Sequence, residues 1–101
     1  MSDESKKHLT DALGGQPIPP PSAAERVERE RVYNLVRGVL TCYNSLIARE
    51  TDEARRAELE AEQKIYTDEF RRHAAMTAAE RRVVLAEYPE LLARLQAELD
   101  G

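Results

Sequence analysis

The stretch Val32-Tyr33-Asn34-Leu35-Val36-Arg37-Gly38-Val39-Leu40-Thr41-Cys42-Tyr43-Asn44-Ser45-Leu46-Ile47 decides how this chain folds. Val32, Val36, Val39, Tyr43 and Leu46 recur at alternating spacings of four and three, the repeat of one face of an α-helix. Tyr33, Leu40 and Ile47 widen that face, and Leu35 and Cys42 widen it further. The polar stripe is narrow: Asn34, Gly38, Thr41 and Ser45, edged by Arg37 and Asn44. A helix apolar over so much of its girth is expected to be buried on several sides.

Upstream, Ser22-Ala23-Ala24-Glu25 reads as a capping box, in which the serine hydroxyl accepts from the Glu25 N–H and the Glu25 carboxylate reaches back. Before it lie Gly14-Gly15 and Gln16-Pro17-Ile18-Pro19-Pro20-Pro21. Prolines at that density cannot feed a helix, and they favour extended polyproline II. Leu9, Leu13 and Ile18 offer too little apolar surface to offset the entropy of ordering the segment. The chain therefore divides into a disordered tail over 1–21, whose prolines suit a stiff spacer or a docking ligand, and one helical domain over 22–101.

Downstream, the apolar pattern stops at Glu50-Thr51-Asp52-Glu53, where Thr51 or Asp52 can cap a new helix, although Arg49 to Lys64 holds no Gly or Pro and one continuous rod is the alternative. A second helix is expected from about Glu53 to Ala75, folded antiparallel on the first as a long hairpin that sets Phe70 against Val32, Tyr66 against Val36 and Leu59 against Tyr43. Thr77-Ala78-Ala79-Glu80 is a second capping box and starts a short third helix carrying Val83, Val84 and Leu85. Tyr88-Pro89 reads as a corner, because proline disfavours α conformation in the residue before it, with a single kinked helix as the alternative. A last helix with Leu91, Leu92, Leu95 and Leu99 would follow. The expected fold is all-α and bundle-like: a long antiparallel hairpin plus two short C-terminal helices, four helices in all.

Composition narrows the function. The chain of 101 residues carries a net charge of −4. That balance disfavours nucleic acid and anionic membrane surfaces. No apolar run approaches the roughly 20 residues that span a bilayer. The single cysteine, Cys42, forbids an intrachain disulfide, and the N-terminus shows no apolar signal region, so a cytoplasmic setting is expected.

The search for chemistry yields little. Glu69 and His73 are four apart and lack a second pair, so no metal site and no cofactor is expected. Cys42, flanked by Thr41 and Tyr43, has the setting of a small hydrophobe rather than a nucleophile. The carboxylate pairs are interleaved with Arg55, Arg56 and Lys64, as on a solvated face. No catalytic residue is assigned. The arginine doublets Arg71-Arg72 and Arg81-Arg82 bracket one turn, where they can contact an anion or an acidic partner. Tyr33, Leu35, Leu40 and Ile47 are candidate interface residues, because the charged half of the second helix can cover little of their flank. The expected function is a non-enzymatic protein-interaction or regulatory role, with itself as a candidate partner in a homodimer. The rival expectation is a small helical enzyme or anion-binding protein using the arginine-rich end.

Overall fold

A computed structural model describes residues 20–101, so the expected tail lies almost wholly outside the described residues. The described chain is all-α, with no strand: α1 Ala23–Arg49, α2 Glu53–Arg71, a single 3-10 turn His73–Ala75, and α3 Ala78–Asp100. Among the described residues no helix is long and apolar enough to cross a membrane.

Each α-helix begins with a side-chain cap. The Ser22 hydroxyl accepts from the Glu25 N–H, and the Asp52 carboxylate accepts from the Arg55 N–H. Thr77 and Glu80 form a full capping box, each side chain accepting from the other's backbone N–H at 3.1 Å. These caps satisfy donors that the first turn of a helix leaves unpaired. The loop between α1 and α2 is closed by the Arg56 guanidinium, which donates to the Glu50 carbonyl.

α1 is the centre of the molecule, and both other helices dock on it. α2 runs antiparallel to α1: Tyr33 meets Phe70, Tyr43 meets Tyr66, and Gln63 donates to Asn44. α3 runs parallel to α1: Arg81 reaches Glu28 at one end, Leu92 lies over Gly38 in the middle, and Arg49 reaches Glu98 and Leu99 at the other. Val32, Val36, Val39, Cys42, Tyr43 and Leu46 of α1 form the core with Leu59, Met76, Val84, Tyr88 and Leu95.

Three sequence expectations are corrected. First, the two short C-terminal helices are one helix, Ala78–Asp100, with Pro89 inside it, as the single-helix alternative has it, so among the described residues three α-helices stand where four were expected. An interior proline costs about 3 kcal/mol. Burying Val84, Tyr88 and Leu95 along α1 contributes about 2 kcal/mol apiece and outweighs that cost. Pro89 itself stays exposed.

Second, α2 ends at Arg71 rather than Ala75. The chain tightens into the 3-10 turn, and Met76 folds into the core immediately before Thr77 caps α3. Third, Tyr66 stacks on Tyr43, two turns beyond Val36. Long side chains tilt towards the N-terminus of their own helix. In an antiparallel pair the two tilts converge, so residues whose backbones overshoot one another meet at their tips.

Candidate functional site: the cleft between the second and third helices

α2 and α3 both lie on α1, yet they meet each other only through long side chains. Tyr66 of α2 stacks on Tyr43 of α1, with ring centroids 5.6 Å apart and planes 18° apart. Tyr66 also forms a T-shaped pair with Tyr88 of α3, with ring centroids 5.5 Å apart and planes 82° apart. Both geometries are favoured by the aromatic quadrupole. This ladder floors an open cleft of about 410 Å³ lined by Tyr66, Glu87, Tyr88, Glu90, Leu91 and Arg94. Towards the turn the cleft continues past Glu69, Arg72, Glu80, Val83 and Val84, with Glu87 and Tyr88 common to both parts.

The electrostatics follow from the walls. Burial pushes the Tyr88 hydroxyl up to about 12, helped by the Glu69 carboxylate and by Tyr66 and Glu87. Burial, and then the Glu62 carboxylate, does the same to Tyr43. At the turn end, Arg72 donates to Glu80 and lies 3.7 Å from Glu69. The Arg72 hydrogen bond, with the Thr77 N–H, holds the Glu80 carboxyl down to about 2. Glu87, Glu90 and Arg94 make no ion pair among the described residues.

The arginines singled out in the sequence are placed apart in role. Arg81 is only 5% exposed. Its Nε donates to Glu28 Oε1 at 2.6 Å and its Nη1 to the Met76 carbonyl at 2.9 Å, tying α1, the turn and α3 together. Arg72 is held by Glu69 and Glu80. Arg71 is exposed, 4.0 Å from Asp68, and Arg82 is exposed.

The apolar flank residues are all half-buried. Leu35 and Ile47 pack against the core. The Tyr33 ring lies against Phe70 and His73, whose Nδ1 is 2.6 Å from the Phe70 carbonyl. Leu40 is half-buried without belonging to that core packing. Cys42 is buried, and burial raises its thiol pKa, which leaves it a small core hydrophobe. Among the described residues no three His, Cys, Asp or Glu side chains gather as a metal site.

Sequence reasoning missed the cleft. Tyr88 reads as the residue before a corner, and Arg94 as a lone base on a terminal helix. The only available signal was the spacing of Val84, Tyr88, Leu92, Leu95 and Leu99, which continues one stripe across Pro89. No protein-family model matches the chain, no curated protein matches it, and no solved structure matches its fold.

Proposed function

We propose that this chain is a non-enzymatic interaction or regulatory protein, acting in the cytoplasm, which receives a protein partner in the cleft between α2 and α3. The observation that carries this reading is the cleft itself. Two helices dock on a shared third helix and leave the groove between them open, floored by Tyr66 and Tyr88 and edged by Leu91 and Val83. Grooves of this kind take up an apolar helix face or a segment with aromatic anchors. The anion-binding alternative has less support, because Arg72 and Arg81 are already engaged by Glu69, Glu80 and Glu28.

A photo-crosslinking residue at Val83, compared with one at the equally exposed Val27 of α1, tests this reading. A discrete protein adduct at position 83 and none at 27 is expected. Equal adducts at both positions, or none at either, would remove the support for a cleft partner.

Self-association is the second reading, and Leu40 favours it: the residue is half-buried yet stands outside the core packing. A two-fold pairing of α1 flanks would cover it. Sedimentation at micromolar concentration should then give a dimer that Leu40→Asp dissociates. A folded monomer indifferent to that change excludes the homodimer.

A further inference from the structure

We propose that the occupant of the α2–α3 cleft is a basic amphipathic helix, supplied by a protein partner and completing a four-helix arrangement around the tyrosine ladder. The proposal rests on the interaction reading above and specifies its ligand.

Shape comes first. The walls run from Glu80 to Arg94 along α3, which is about 21 Å at 1.5 Å of rise per residue. That length suits about four turns of helix. The walls are themselves helices whose backbone groups are already paired, so a strand would find no edge to extend. A helix brings its own backbone bonds and needs only side-chain complementarity.

Charge selects the flanks of that helix. Four carboxylates line the cleft, Glu69, Glu80, Glu87 and Glu90, against two guanidiniums, Arg72 and Arg94. Arg72 is committed to Glu69 and Glu80, which leaves Glu87 and Glu90 without a cationic partner among the described residues. A second copy of this chain is disfavoured, because a two-fold contact through the cleft would bring together two linings in which carboxylates outnumber guanidiniums.

Tyr88 offers an independent point of contact. Its side chain is only 8% exposed, yet its hydroxyl makes no hydrogen bond to any described residue and is not sealed in the interior. It opens on the cleft, beside the half-buried ring of Tyr66. An aromatic ring flanked by carboxylates attracts a lysine or arginine through its negative face, and a phenolic oxygen accepts the cation's N–H. Beside these, Val83 is 52% exposed and Leu91 half-buried, and they offer contact for the apolar stripe of the incoming helix. Arg94 is the one opposing element. It would repel a basic residue and so fix the direction in which the partner lies.

Two labelled four-turn peptides test this against the full chain, sharing one leucine stripe but flanked by lysine and arginine in one and by glutamate in the other. Fluorescence anisotropy should show the basic peptide binding about tenfold more tightly, with the margin shrinking as salt rises. Glu87→Lys combined with Glu90→Lys should abolish the preference, and Arg94→Glu should strengthen the basic peptide. Tyr88→Phe, with helicity checked by circular dichroism, should weaken binding severalfold. Amide shifts should centre on Tyr66 and Tyr88.

Equal affinity for the two peptides, or a preference unmoved by the charge reversals, overturns the basic-helix assignment. If the acidic peptide, or a second copy detected by sedimentation, occupies the cleft instead, the assignment fails while the interaction reading stands. If neither peptide shifts Tyr66 or Tyr88 and the Val83 crosslinker captures nothing, both fail.

Discussion

The two flanks of α3 are built on opposite principles. Towards α1 the contact is continuous and closed. Leu92 lies over Gly38, Arg81 bridges to Glu28, and Arg49 donates to the carbonyls of Glu98 and Leu99 at the far end. Those carbonyls belong to the last turn of α3, where no intrahelical donor remains and a cation is favoured. Towards α2 the contact is made by side-chain tips alone: Tyr66 on Tyr88, Arg72 on Glu80, and Arg55 3.7 Å from Glu98. The contrast separates two tasks. The α1–α3 seam supplies cohesion, whereas the α2–α3 side keeps surface available, at the expense of local stability.

The largest test of that contrast is Leu95→Ala, at a seam position only 2% exposed. It should destabilise by about 3 kcal/mol, measured by urea unfolding, since deleting a buried leucine leaves a cavity as well as losing transfer energy. A change no larger than that from Val83→Asp on the cleft wall would break the comparison, because exposed positions away from special features usually stay within about 0.5 kcal/mol.

Next comes Arg81→Met. Glu28 keeps about a third of its side-chain exposure, so its orphaned charge is partly screened. A loss of about 2 kcal/mol is expected, below the range for a wholly buried pair. Hydrogen exchange should place the damage at the Glu28 end of α1 and at the 3-10 turn.

Acidity sharpens the picture from both sides. Tyr43 and Tyr88 hold their protons to about 12 in the fold against an ordinary value of 10. Between those values the folded chain keeps protons that the unfolded chain has released, so this contribution is complete below pH 10 and is lost as pH climbs towards 12. A tyrosinate absorbance titration should show late deprotonation of two of the four tyrosines, coupled to loss of helicity. Glu80 works in the reverse direction: its carboxyl falls from 4.5 to about 2 beside Arg72. Its contribution is present above pH 4.5 and lost as pH drops to about 2, and solvent exposure keeps it small.

The smallest expected effect is Gly38→Ala. The added Cβ would meet Leu92 Cδ1 at 3.4 Å, a contact that a mobile leucine methyl can accommodate. Alanine is the better helix former, so a gain of about 0.5 kcal/mol is expected in thermal unfolding. A net loss would mean that the seam is packed more rigidly than Leu92 implies.

What the sequence makes legible is local. The Val32 to Leu46 stripe and the caps at Ser22, Asp52 and Thr77 depend on spacings of three and four residues, and the structure has a helix at each. Pro89 misleads because its local penalty is visible in the sequence, whereas the burial of Tyr88 and Leu95 that outweighs it depends on where α1 lies. The members of an arginine doublet part for a geometric reason. Consecutive helical residues diverge by about 100°, so Arg81 turns inward while Arg82 faces water. The cleft was illegible because its floor joins Tyr66 to Tyr88, a pairing fixed only when both helices are seated on α1.

The parallel placement of α1 and α3 has a mechanical consequence. Ala23 lies at one pole of the domain and Asp100 at the other, separated by the length of α1, about 40 Å for 27 residues. A force applied between those two residues acts along the seam and loads it in shear. The buried rows of both helices, the Arg81 bridge and the Arg49 clasp must then slip together. A force applied between Glu53 and Arg71 stretches α2 alone, turn by turn, with Leu59, Tyr66 and Phe70 as its ties to α1 and side-chain tips as its ties to α3. Pulled from its poles, the domain should therefore yield in one abrupt event at high force, whereas α2 gripped at its own ends should give way gradually and at low force.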